Sequence, residues 1–139
     1  MNPADPWVPS RAVYVRRTAN VSLLTFGFFL IPAAMIFANG GQFRMLGLLM
    51  PLAMTLIFVI EDFSKWRMVR REEWHIEDGH LIHFGPDGRA MIALAEIGKA
   101  KRRFGGAVAV ELHSGQRILM RYLPDPDAVA HHINALLSP

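Results

Sequence analysis

Between Arg17 and Glu61 the chain carries one charged side chain, Arg44, whereas charges are spread at ordinary density before and after that stretch. No motif constrains the fold as strongly, because the sequence is written for two solvents. The first apolar run, Ala19 to Asn39, has no ionisable residue. As a helix it would be about 30 Å long, the thickness of a bilayer's hydrocarbon core. The second, Met45 to Ile60, is shorter, but Phe43 and Phe63 extend it and Arg44 can snorkel to the surface. Pro32 and Pro51 fall inside these runs and predict kinks.

A soluble fold of 139 residues can hardly cover two helices that are apolar all round. A cleaved signal peptide is also a poor fit, since the first run is too long, begins late and is followed by a second. The expected arrangement is an N-terminal segment over residues 1–18, a two-helix transmembrane hairpin over 19–63, and a cytoplasmic domain over 64–139. Arg11, Arg16 and Arg17 precede the first span and Lys65, Arg67, Arg70 and Arg71 follow the second. Only Arg44 stands at the connecting turn, so the positive-inside rule puts both termini in the cytoplasm. Trp7, Tyr14 and Trp66 are spaced to sit at that interface. Ala34, Ala38 and Gly47 are small enough to let helices approach closely.

After Arg71 the pattern changes to short segments separated by turn signals. Glu73–Glu77 and His80–Phe84 flank Asp78-Gly79, a strong hairpin signal. Arg89–Leu94, Glu96–Phe104, Ala107–His113 and Gln116–Leu123 complete six expected strands. A terminal helix follows, with Asp125 as N-cap, Pro126 at its first position, and Val129, Ile133, Leu136 and Leu137 as an apolar stripe. The fold class is thus a membrane α-helical hairpin plus an α+β domain. That domain is expected to be one small antiparallel sheet or barrel of about six strands, capped by the helix.

Trp74, Ile76, Gly79 and Leu81, then Gly88-Arg89, Ile92 and Leu94, then Glu96-Ile97, Gly106, Val110, Leu112 and Ser114-Gly115, form a pattern that resembles the bacterial pleckstrin-homology-like domains found beside transmembrane hairpins. The resemblance covers about residues 65–139. It implies a PH-like fold, the bacterial inner membrane, and a binding task rather than catalysis. A seventh strand is missing unless Lys65–Arg71 supplies it.

The chain has no cysteine, which excludes disulfide and thiol chemistry. Its formal charge of +3 is too small to suggest nucleic-acid binding. No nucleophile motif or phosphate-binding glycine loop occurs, so neither catalytic residues nor cofactors are expected. His75, Glu77 and His80 share one face of the first hairpin and would hold a metal only if they converged. The plainer reading, a polar cross-strand face, assigns no metal. The basic run Lys99, Lys101, Arg102 and Arg103, with Arg67, Arg70 and Arg71, is the expected lipid- or partner-binding set. On a strand, Lys99, Lys101 and Arg103 share a face, and each is worth about 1 kcal/mol near an anionic leaflet. The alternative is a solvated edge guarded by charge.

The leading expectation is a non-enzymatic membrane interaction protein, an accessory or assembly subunit of a larger complex of respiratory or photosynthetic type. Its partners would be membrane lipids and integral membrane proteins, with homo-oligomers also open. An anionic-lipid sensor and a metal-binding protein are the second and third readings.

Overall fold

The computed structural model describes residues 5–138, so residues 1–4 of the expected N-terminal segment lie outside it. The chain forms two compact units: residues 15–66, and a second made of the N-terminal residues up to Tyr14 together with those from Arg67 onward.

The first unit is built on two helices, α1 (Arg11–Asn39) and α2 (Arg44–Val69). Both are long and apolar enough to cross a membrane. They reverse at Gly40 and Gly41, each at positive φ, a conformation glycine adopts without steric cost. Each helix extends beyond the expected apolar run into the charged flanks, because nothing at Arg11–Thr18 or Glu61–Val69 breaks helical pattern. Pro32 and Pro51 lie inside continuous helices. The Thr55 hydroxyl donates to the Pro51 carbonyl at 2.7 Å. Leu23, Phe28, Ile31, Leu49 and Leu56 are each more than half exposed.

The two helices touch at Gly47 and at Asp62. Ala33 is buried against α2, whereas Ala34 and Ala38, the small residues expected there, are exposed. A Cβ on Gly47 would stand 2.9 Å from the Ile36 Cγ2 and 3.3 Å from the Ala33 carbonyl oxygen, so this crossing needs glycine. At the charged end Asp62, only 2% exposed, accepts hydrogen bonds from the Arg17 guanidinium at 2.7 Å and from the Thr18 hydroxyl.

The second unit holds six strands and a helix. β1 (Glu73–Glu77), β2 (His80–Gly85) and β3 (Gly88–Ala93) form one antiparallel sheet in that order. β4 (Ile97–Arg103), β5 (Ala107–Leu112) and β6 (Arg117–Met120) form another. The expected single sheet or barrel is therefore replaced by two three-stranded sheets that do not close into a barrel. A 3₁₀ turn at Leu94–Glu96 diverts the chain after β3, and β4 then pairs forward with β5. Asp78 and Gly79, at φ 49° and 74°, make the tight turn that the Asp-Gly pair predicts. β6 stops at Met120, short of the expected Leu123, and Tyr122 at φ 56° turns the chain away.

Lys65–Val69 is helical, so it adds no seventh strand. The extra pairing comes from Trp7, whose backbone exchanges bonds of 2.7 and 2.9 Å with Trp74. Trp7 is buried in the core, not placed at a membrane interface as expected, because its indole joins Trp74, Leu81 and Val129. Tyr14 stands edge-on to Tyr122 at 5.6 Å. α3 (Pro126–Leu137) begins where Asp125 accepts from the Ala128 N–H at 3.0 Å, and packs on β4 and β5. Its apolar stripe is Val129, Ala130, Ile133 and Leu137; Leu136, expected inside, is 47% exposed because it lies off that face.

Candidate functional site

A cleft of the second unit, lined by both polar and apolar groups, has a volume of about 660 Å³, in the range of ligand sites. One wall is the β2–β3 end: His83, the Gly85–Gly88 turn, Arg89 and Ala90. The other is Leu119 of β6 with Arg121, and Met68, Val69 and Glu72 complete it. Register explains the His83 position, since Trp74 and His83 are cross-strand partners. Their rings stack at 4.1 Å with 26° between planes. Gly85 is required above the imidazole, where a Cβ would stand 2.9 Å from its Cε1.

The His83 Nε2 is buried without a hydrogen-bond partner and lies 3.7 Å from Glu72 Oε1. Burial raises the Glu72 carboxyl above the ordinary glutamate range; the nearby His83 and Arg121 partly oppose this. Among the described residues lining the cleft there is no hydroxyl or thiol. The arrangement supplies a carboxylate, an imidazole and two guanidinium groups for polar contacts, with no nucleophile among the described lining residues.

The expected basic set is divided between elements. Arg67 lies in the last turn of α2, Arg70 and Arg71 form the turn after it, and the other four lie on β4. Lys99, Lys101 and Arg103 share the outward face as their alternation predicts, since Ala100 points into the core. Lys99 is tied to Glu111 at 3.0 Å, and Arg117 approaches the same carboxylate at 3.6 Å. Hydrogen bonding to Lys99 lowers the Glu111 pKa and raises that of Lys99. Arg102 turns the other way and pairs with Asp127 in the first turn of α3 at 2.9 Å. Among the described residues Arg67, Arg70, Arg71, Lys101 and Arg103 make no ion pair. Phe104, beside Arg103 at the hairpin tip, is 80% exposed.

Glu77 and His80 are register partners, and His75 Nε2 lies 3.6 Å from Glu77 Oε2. The ring of His75 stacks on Phe84, while His80 Nδ1 is 2.9 Å from the Asp78 carbonyl oxygen. Among the described residues no three His, Asp or Glu side chains are grouped to hold a metal.

The four outer strand edges are treated differently. Trp7 pairs at β1. At β4 the Asn134 side chain of α3 behaves like a neighbouring strand: its Oδ1 accepts from Ala100 N–H and its Nδ2 donates to the Ala100 carbonyl, both at 2.8 Å. The outer edges of β3 and β6 have no backbone partner among the described residues. Glu72, His83, Arg121 and Asn134 all escaped sequence reasoning. The only signal was the strand register that follows from Asp78-Gly79, which puts His83 on the inward face with Trp74.

The class these observations define is an α+β unit joined to a pair of membrane-length helices. No protein-family model, curated protein or solved structure matches the chain.

Proposed function

We propose that this chain is a non-enzymatic membrane interaction protein: the α1–α2 pair anchors it, and the β unit binds a neighbouring protein, as an accessory or assembly subunit of a larger membrane complex. The observation that carries the reading is the contrast between units. The β unit buries its own apolar core, whereas α1 and α2 leave their large apolar side chains uncovered. Such an apolar surface is stable only in a bilayer or against other helices. Residues flanking both ends of the helical pair belong to the same folded unit, which supports a topology with both flanks on one side of the membrane. The excess of Lys and Arg there favours the cytoplasmic side of a bacterial inner membrane. Two small antiparallel sheets with a C-terminal helix are compatible with a PH-like layout.

The test is to extract native membranes in a mild detergent and recover the chain through a C-terminal tag. A membrane protein recovered in stoichiometric amount, through moderate salt, supports the reading; recovery of this chain alone overturns it.

One observation favours a second reading, an anionic-lipid sensor. Lys101 and Arg103 point outward unpaired, beside the exposed Phe104. It predicts that the full chain, reconstituted in nanodiscs, draws extra anionic lipid that is lost on changing Lys101 and Arg103 to Gln. Equal lipid content in both would sink it.

A further inference from the structure

We infer that the cleft between β3 and β6 is a strand-addition site, where an extended segment of a partner protein pairs with the open edge of β6. This rests on the interaction-protein reading and names the surface that performs it.

An exposed strand edge is a row of unpaired N–H and C=O groups, and folded chains usually cover or blunt it. Here the Trp7 backbone pairs with Trp74 of β1, and the Asn134 side-chain amide satisfies the outward N–H and C=O of Ala100 on β4. β3 and β6 lack such closure, and both line the same 660 Å³ cleft.

The direction of the open groups on β6 follows from its turn. Leu112 N–H donates to the Gln116 carbonyl at 2.9 Å, which closes the β5–β6 ladder. In an antiparallel pair bonded and non-bonded positions alternate. The next pair, Glu111 with Arg117, is therefore non-bonded, and so is Ala109 with Leu119. The backbone N–H and C=O of Arg117 and Leu119 thus point away from β5. Leu119 is 42% exposed and offers an apolar contact for every second residue of an incoming strand. Main-chain hydrogen bonds would supply affinity, and contacts at alternate side chains the selectivity. The occupant this edge fits is an extended peptide segment, since a helix has no free backbone groups to offer it.

Proline at 119 removes the outward N–H while leaving every bond to β5 in place, and an edge strand tolerates it. The full-length protein is recovered by its tag from native membranes as wild type, Leu119→Pro and Leu119→Thr, and the stoichiometric partner is quantified. The expectation is at least a tenfold loss with Leu119→Pro and retention with Leu119→Thr, which keeps the N–H. Equal recovery with all three variants overturns the inference while leaving the interaction reading intact. Absence of any partner with the wild type overturns both. If Leu119→Pro lowers the unfolding midpoint of the purified protein, a photo-crosslinking residue at 119 decides. Adducts on an extended stretch of the partner support strand addition; adducts within a helix, or on a second copy of this chain, overturn it.

Discussion

Replacing Asn134 with alanine removes two hydrogen bonds at once, and both come from a buried backbone. Ala100 is 3% exposed, and its N–H and C=O each meet the Asn134 amide at 2.8 Å. A typical intramolecular hydrogen bond is worth about 1 kcal/mol net, but a buried group left unpaired costs about 1–3 kcal/mol. Partial access for water at the strand edge offsets some of that, so the expected loss is about 2–4 kcal/mol. Aspartate should be no better than alanine, because it keeps the acceptor for Ala100 N–H and sets a charged oxygen against the Ala100 carbonyl. The assay is urea unfolding of the full-length protein in detergent micelles, read by the fluorescence of the buried Trp7 and Trp74. Amide exchange at Ala100 is a local check, and a 3 kcal/mol loss would speed it by about a hundredfold. A loss under 0.5 kcal/mol with Ala100 still protected would refute the idea that Asn134 stands in for a strand.

Four further outcomes follow from the same geometry. Asp62→Ala leaves Arg17 without its closest acceptor, which for buried pairs costs about 3–5 kcal/mol; Arg17 can reach solvent, so the low end is expected, and thermal unfolding within 2 °C of wild type would contradict it. Gly106→Ala places a methyl 2.5 Å from Val13 Cγ1 and 3.0 Å from the Leu123 carbonyl oxygen at a φ of 74°, which should cost about 2–3 kcal/mol. Adding Val13→Ala should recover part of this, and no recovery in the double variant would show that the backbone contact dominates. Glu72 is harder to ionise folded than unfolded, so its contribution to stability is full at acid pH and is lost as pH rises through its raised pKa; Glu72→Gln should flatten that dependence, and unchanged unfolding midpoints across pH 4–8 would refute it. Glu111 has the opposite sign: the support from Lys99 is present above the ordinary carboxylate range and fades as pH falls, so the unfolding difference between wild type and Glu111→Gln should shrink toward pH 3 and in high salt.

The local grammar of the β unit was legible in the residues. Asp78-Gly79, Gly85–Gly88 and Ser114-Gly115 put the turns where they occur, and alternation in β4 gave the shared face of Lys99, Lys101 and Arg103. What sequence could not supply were the contacts between distant segments. Trp7 looks like an interfacial aromatic until Trp74 is seen to pair with it, and Asn134 looks like a polar helix residue until Ala100 stands opposite. Asp62 and Arg17 read separately as flanking charges, and only the antiparallel course of α1 and α2 brings them together. Two of the seven expected basic residues are neutralised for the same reason, since the acids that pair with Lys99 and Arg102 come from β5 and α3.

The Trp7–Trp74 pairing has a consequence for biosynthesis. The first strand-like residue leaves the ribosome before either apolar helix, and its partner only after both. Joining ends about 67 residues apart costs a flexible chain about 4 kcal/mol in closure entropy, beyond a length-independent constant. On the membrane-anchor reading proposed above, a helical pair already inserted and clamped at Arg17–Asp62 would hold the two flanks near each other, and most of that cost would disappear. Insertion of the pair should therefore precede and speed maturation of the β unit, and a fragment starting at Arg67 would be made without a core tryptophan.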